Sequence, residues 1–88
     1  MAAGSSAAVE VSLVGGHASI KIRSEKKQRQ LLELVKGLQR LCLSVLHLNV
    51  NTDEGTAVYS LGVKVEDGCK MGSGDEIATA VYQILGSL

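Results

Sequence analysis

Two runs of period-two alternation, Leu43 to Asn51 and Thr56 to Val65, are separated by the turn Thr52-Asp53-Glu54-Gly55 and follow directly on a helix-period segment. Alternation marks strands with one buried face, whereas Leu31, Leu34, Val35, Leu38 and Leu41 recur with the spacing of a helix. The chain therefore reads as helix, strand, turn, strand. Leu46, Leu48 and Val50 are expected inward on the first run, and Ala57, Tyr59, Leu61, Val63 and Val65 on the second.

A second strand pair precedes this unit. Val9 to Val14 places Val9, Val11 and Leu13 on one face, and Ala18 to Arg23 places Ala18, Ile20 and Ile22 on one face. Gly15-Gly16 between them supplies the positive φ that a tight hairpin requires. Ser24 then reads as a helix N-cap, with the first helix over Glu25 to Arg40 and Gly37 inside it, either a site of close helix approach or a tolerated defect. Ser73 and Glu76 form a capping box for a second helix reaching about Gly86, with Asp75 adding charge favourable to the helix dipole. One face of every strand is apolar and the other polar, which is the pattern of an antiparallel sheet covered by helices on one side. The fold class is an α+β sandwich.

The second helix is too apolar for that task alone. Ile77, Ala78, Ala80, Val81, Tyr82, Ile84, Leu85 and Leu88 span an arc of about 200°, where one sheet face needs about 100°. Covering the sheet should bury Ile77, Val81, Ile84 and Leu88, leaving Ala78, Tyr82 and Leu85 at the margin for a partner. Sideways packing of the first helix on this margin is the competing explanation.

The 88 residues hold 45% hydrophobic residues but no Phe or Trp, so Leu, Val, Ile and Ala must build the core of one modest domain. No run is long and apolar enough to span a membrane, and no signal-peptide pattern is present. Residues 1–8, small and polar, read as a linker or an expression scar, and residues 9–88 as the domain. Cys42 and Cys69 are too few for a disulfide framework or a metal knuckle. His47 falls in the outward phase of its strand, and neither it nor Cys69 has a companion at ligand or nucleophile spacing, so no catalytic, metal or cofactor site is read. Residues 1–40 carry seven basic against three acidic side chains and residues 41–88 two against six, an asymmetry able to orient two associating domains. Lys21, Arg23, Lys26, Lys27 and Arg29 form a basic cluster around the start of the first helix without an aromatic side chain for stacking bases, so a solvated helix start is preferred to an anionic partner as its explanation.

The segments Val9-Glu-Val-Ser-Leu, Ala18-Ser-Ile-Lys-Ile, Lys27-Gln-Arg-Gln-Leu-Leu, Leu43-Ser-Val-Leu-His-Leu-Asn-Val and Val58-Tyr-Ser-Leu-Gly-Val-Lys-Val closely resemble the C-terminal ACT-like domain of plant basic helix-loop-helix (bHLH) transcription factors. The resemblance runs from residue 9 to residue 85 and is nearest to the SPEECHLESS, MUTE and FAMA group of stomatal development. Gln28 departs from it, standing where many relatives have proline. What the resemblance implies is a ββαββα, ferredoxin-like variant with strand order 1-2-4-3. It also implies a nuclear parent protein that binds DNA through a separate helix-loop-helix region, and a domain that forms homodimers or heterodimers with SCREAM-type ACT-like partners. In that order the first strand is an edge, and pairing two first strands across a twofold axis would join two sheets. The expected interface is therefore Val9, Glu10, Val11, Ser12, Leu13 and Val14 together with Ala78, Tyr82 and Leu85. An amino-acid-sensing regulatory domain is the alternative; neither membrane binding nor enzymatic activity is expected.

Overall fold

The computed structural model describes residues 7–27 and 29–86. Six elements follow in the order β1 (Ala8–Val14), β2 (His17–Glu25), α1 (Gln30–Arg40), β3 (Leu43–Asp53), β4 (Thr56–Val65) and α2 (Gly74–Gly86). The strands form one antiparallel sheet in the order β1-β2-β4-β3, as the resemblance implied. Both helices cover one face, α1 against β3 and α2 against β1, with the helices touching each other.

Alternation determines the core. Ala18, Ile20 and Ile22 from β2 and Ala57, Tyr59, Leu61 and Val63 from β4 are buried, and meet Leu34 and Leu38 of α1 and Ile77, Val81 and Leu85 of α2. Each large aliphatic side chain so buried contributes about 1.5–3 kcal/mol. The Gly15-Gly16 turn has φ values of 53° and 85°, which match the twist of a tight hairpin.

Several expectations need correction. Ser24 is not a helix N-cap: it is a strand residue, 6% exposed, in the same inward phase as Ala18, Ile20 and Ile22. The ladder continues past it through Glu25 opposite Thr56, and the Lys26 N–H donates to the Gly55 carbonyl at 2.8 Å. Accordingly α1 begins at Gln30 rather than Glu25, after Arg29 in the left-handed region with no side-chain cap. Gln30 accounts for the difference. Its amide donates to Ser24 Oγ at 3.1 Å and to the Glu25 carbonyl at 3.2 Å, while its oxygen accepts from the Tyr59 hydroxyl at 2.7 Å. A buried serine at the end of a strand and an uncapped helix start are thus tied by one side chain. Gln28, where relatives carry proline, lies outside the described residues.

Leu46 is not inward. The register slips between Val45 and His47, and the extra residue of this bulge leaves Leu46 54% exposed. Leu48 and Val50 do take the inward phase, opposite the buried Leu61 and Tyr59, yet they remain 37% and 38% exposed. They belong to the far half of an edge strand, outside the cover of the helices.

On α2 the buried row is Ile77, Val81 and Leu85, at i, i+4 and i+8. Ile84 is only half-buried, and Leu88 lies outside the described residues. The margin is used as the competing explanation had it: a Cβ on Gly37 of α1 would come within 2.5 Å of Ile84 Cδ1, so the glycine permits the helices to touch. The capping box is also rearranged. The Glu76 N–H donates to Ser73 Oγ at 3.3 Å, but the Glu76 carboxylate accepts from the Gly72 N–H at 2.9 Å rather than from the Ser73 N–H.

At the N-terminus β1 starts at Ala8, and Ala7 already packs against the core. The expected linker over residues 1–8 is therefore ordered at its last two positions, and residues 1–6 lie outside the described part.

Candidate association surface

The expected interface residues are brought together by the packing of α2 along β1. Val9, Val11 and Leu13 are half-buried against the helices, while Glu10 and Ser12 project from the open face of the sheet and Val14, at 73% exposure, ends the strand. Tyr82 is 44% exposed, and its hydroxyl accepts a 3.1 Å hydrogen bond from the Val9 N–H. This amide points away from β2. In an antiparallel ladder the outward groups alternate, so Val11 and Leu13 also direct theirs to the free edge. At the start of α2, a Cβ on Gly74 would come within 3.2 Å of the Val11 carbonyl oxygen. The edge of β1 is therefore partly closed from within the chain.

Ala78 is half-buried beside Tyr82. Leu85 is not at the margin: at 6% exposure it belongs to the core, one turn beyond Val81. It falls at i+8 from Ile77, on the same helical row as Ile77 and Val81, and so follows them into the core.

The opposite face of the sheet is bare of helices. A shallow groove of about 610 Å³ crosses it between β1, β2, β4 and β3, and Glu10, Lys21, His47, Asn49 and Ser60 line it. Glu10 and Lys21 sit directly across from each other in register. His47 projects outward as expected, its imidazole over Gly62, where any Cβ would overlap it. The basic cluster is dispersed rather than gathered at a helix start: Lys21 and Arg23 lie on β2, Lys26 precedes α1, and Arg29 occupies its cap. Among the described residues no three His, Cys, Asp or Glu side chains assemble into a metal site, and no buried side-chain polar atom lacks a partner. Burial raises the Tyr59 phenol above its ordinary value, consistent with its place as a donor within the core. No described helix is long and apolar enough to cross a membrane.

Strand β3 is the other edge that the strand order implies, but the exposure of its inward-phase Leu48 and Val50 was not foreseen. Leu48, Val50 and Thr52 line the second free edge, and its signal was present: a stretch of β3 from His47 to Asn51 with no formal charge at neutral histidine and no proline.

These features can hold a protein surface, and nothing among them resembles a reaction centre. The family model for the plant bHLH transcription factor ACT-like domain matches residues 8–86. Among curated proteins, the chain is 49% identical to transcription factor bHLH96 of Arabidopsis thaliana over 90% of its own length and 25% of the relative's. It is 47% identical to transcription factor bHLH94 of the same plant over 92% of its length and 27% of the relative's. Transcription factor FAMA, also from Arabidopsis thaliana, is 40% identical over 86% of this chain and 18% of its own. The chain thus spans about a quarter of the length of these two bHLH relatives. No solved structure matches it. The relatives are transcription factors and not enzymes, and the chain belongs to the family of plant bHLH transcription factor ACT-like domains.

Proposed function

We propose that this domain pairs the transcription factor that carries it with a second ACT-like domain, either its own copy or a SCREAM-type bHLH partner. The observation that carries this reading is the continuity of an apolar helix margin, Ala78 and the exposed Tyr82, with the edge strand Val9–Val14. Two such edges joined across a twofold axis would extend the sheet and bring the two α2 helices together. Leu85 supports the surface from beneath rather than contacting a partner. Tyr82 must release the Val9 amide, or the added strand must pair with Val11 and Leu13 alone.

In the full-length protein the domain then stabilises or selects the dimer that presents a separate helix-loop-helix region to DNA. That protein acts in the nucleus to regulate transcription, and stomatal-lineage development is the setting suggested by the likeness to FAMA, SPEECHLESS and MUTE. Sedimentation of the chain at micromolar concentration, alone and mixed with candidate partner domains, tests the reading. A dimer weakened by Val11→Pro, which removes an edge N–H that the β1–β2 ladder does not use, is the expected result. A monomer under all conditions overturns it. A rise in melting temperature with a free amino acid would instead favour a sensor.

A further inference from the structure

Two half-buried free thiols, 27 positions apart in the sequence, are brought to a single turn. Cys42 follows α1, and its carbonyl accepts from the Glu66 N–H at 3.0 Å, which makes Cys42 and Glu66 the pair beyond Leu43 and Val65 in the β3–β4 ladder. Cys69 closes the turn that Glu66 opens, its N–H donating to the Glu66 carbonyl at 2.9 Å. Bonded antiparallel partners lie about 5.5 Å apart at Cα, and the two ends of such a turn lie within about 7 Å. Glu66 is therefore a near neighbour of both cysteines. Gly68 joins them from the other side. A Cβ on it would come within 3.2 Å of Cys42 Sγ and 4.0 Å of Cys42 Cβ. Its own Cα lies about 3.8 Å from that of Cys69.

The conformation of Cys42 fixes this approach. Its φ of 61° is in the left-handed region, and its N–H donates to the Gln39 carbonyl at 3.1 Å, so a cysteine ends α1 at the position where glycine is ordinarily found. The strained backbone sets its sulfur against the bare Cα of Gly68. The Cys69 thiol, for its part, makes only a weak 3.9 Å contact with the Met71 carbonyl, which a rotation about χ1 gives up at little cost. Residues 66–73, which carry Cys69, belong to neither a strand nor a helix and can yield where the ladder cannot.

We propose that Cys42 and Cys69 form a reversible intrachain disulfide that ties the end of α1 to the segment leading into α2. The co-reactant is a small-molecule disulfide such as oxidised glutathione. The thiolate of one cysteine attacks a glutathione sulfur, the glutathione S–S bond breaks, and the first glutathione leaves as its thiolate. The second cysteine, its proton given to solvent, attacks the protein sulfur of the mixed disulfide and expels the second glutathione. Two protein thiols thereby lose two protons and two electrons, and one glutathione disulfide becomes two glutathione thiols. Closure draws an exposed turn onto a strained residue, so the bond is of the labile, regulatory kind. It lies away from Tyr82 and the β1 edge, and does not depend on the pairing proposed above.

The test is a titration of the chain with mixtures of reduced and oxidised glutathione, quenched by alkylation and read by mass. Both thiols should disappear together, with the mass of two hydrogens lost and no glutathione retained, and excess reduced glutathione should restore them. The bridged form should melt about 5 °C or more above the reduced form, because the link restrains the unfolded chain. Hydrogen exchange across residues 66–73 should slow with it. Cys42→Ser and Cys69→Ser, each with one thiol left, should instead retain one glutathione and show no such rise. The unaltered chain in urea is the reference, and the equilibrium constant for bridging should be about tenfold lower there than in the folded domain. Glutathione retained on the unaltered chain at every ratio, cross-linked dimers in place of the internal bridge, or bridging no more favourable in the folded domain than in urea overturns the proposal.

Discussion

The two edges of this sheet are built from similar residues and end in different states. On β1 the inward residues Val9, Val11 and Leu13 lie under α2, the Val9 amide is engaged by Tyr82, and the backbone of Gly74 approaches the Val11 carbonyl. On β3 the inward residues Leu48 and Val50 extend past α1 and stay more than a third exposed. A helix lying over the edge closes the first, and a strand longer than the helix above it opens the second. An apolar, alternating edge strand is thus a liability or a docking surface according to what covers it, and two helices on a four-stranded sheet cannot cover both edges equally.

The largest break of the comparison comes from the helix that closes β1. Ile77→Ala empties a fully buried position of α2 and should cost about 2–5 kcal/mol in urea unfolding, whereas Leu48→Ala on the open edge should cost well under half as much because little of its surface is buried. Equal losses would show that the far half of β3 is covered after all. Smaller is the effect expected at the contact that presses α2 into place. Gly37→Val overfills the space against Ile84 and should destabilise the domain by about 1–3 kcal/mol, and a stability gain from improved helix propensity would refute the close approach as a constraint. Smallest is Tyr82→Phe, which removes the acceptor from the Val9 amide. A loss of about 0.5–1.5 kcal/mol is expected, with faster hydrogen exchange at Val9 and unchanged exchange at Val50. Exchange that rises equally at both amides would mean that the hydroxyl does not distinguish the edges.

Much of this was legible beforehand because its cause is local. Period-two alternation placed all four strands, and the Gly-Gly and Asp-Glu-Gly turns placed the two hairpins. Ser24 was misread because a serine before a polar run has the same appearance whether it caps a helix or ends a strand. The partner that decides between these, Tyr59 reaching Gln30, is 29 residues away from it in the chain. Leu46 was misplaced because a bulge inserts one residue without any mark in the alternation, reversing the phase seen from the first half of the strand. Leu85 takes the core place expected of Ile84, because Ile84 packs over Gly37 of α1, a contact that a wheel drawn for one helix alone does not show.

The association surface divides in the same way. The sequence by itself determined that α2 carries more apolar surface than one sheet face consumes and that β1 and β3 alternate. These are properties of spacing and side-chain chemistry. Only the tertiary structure decided which edge α2 closes, which backbone amides remain free and where the inward phase of β3 meets solvent. Hydrogen-bond direction in a ladder depends on the register with the neighbouring strand, and burial depends on where a helix ends above it, and neither is a property of the segment on its own.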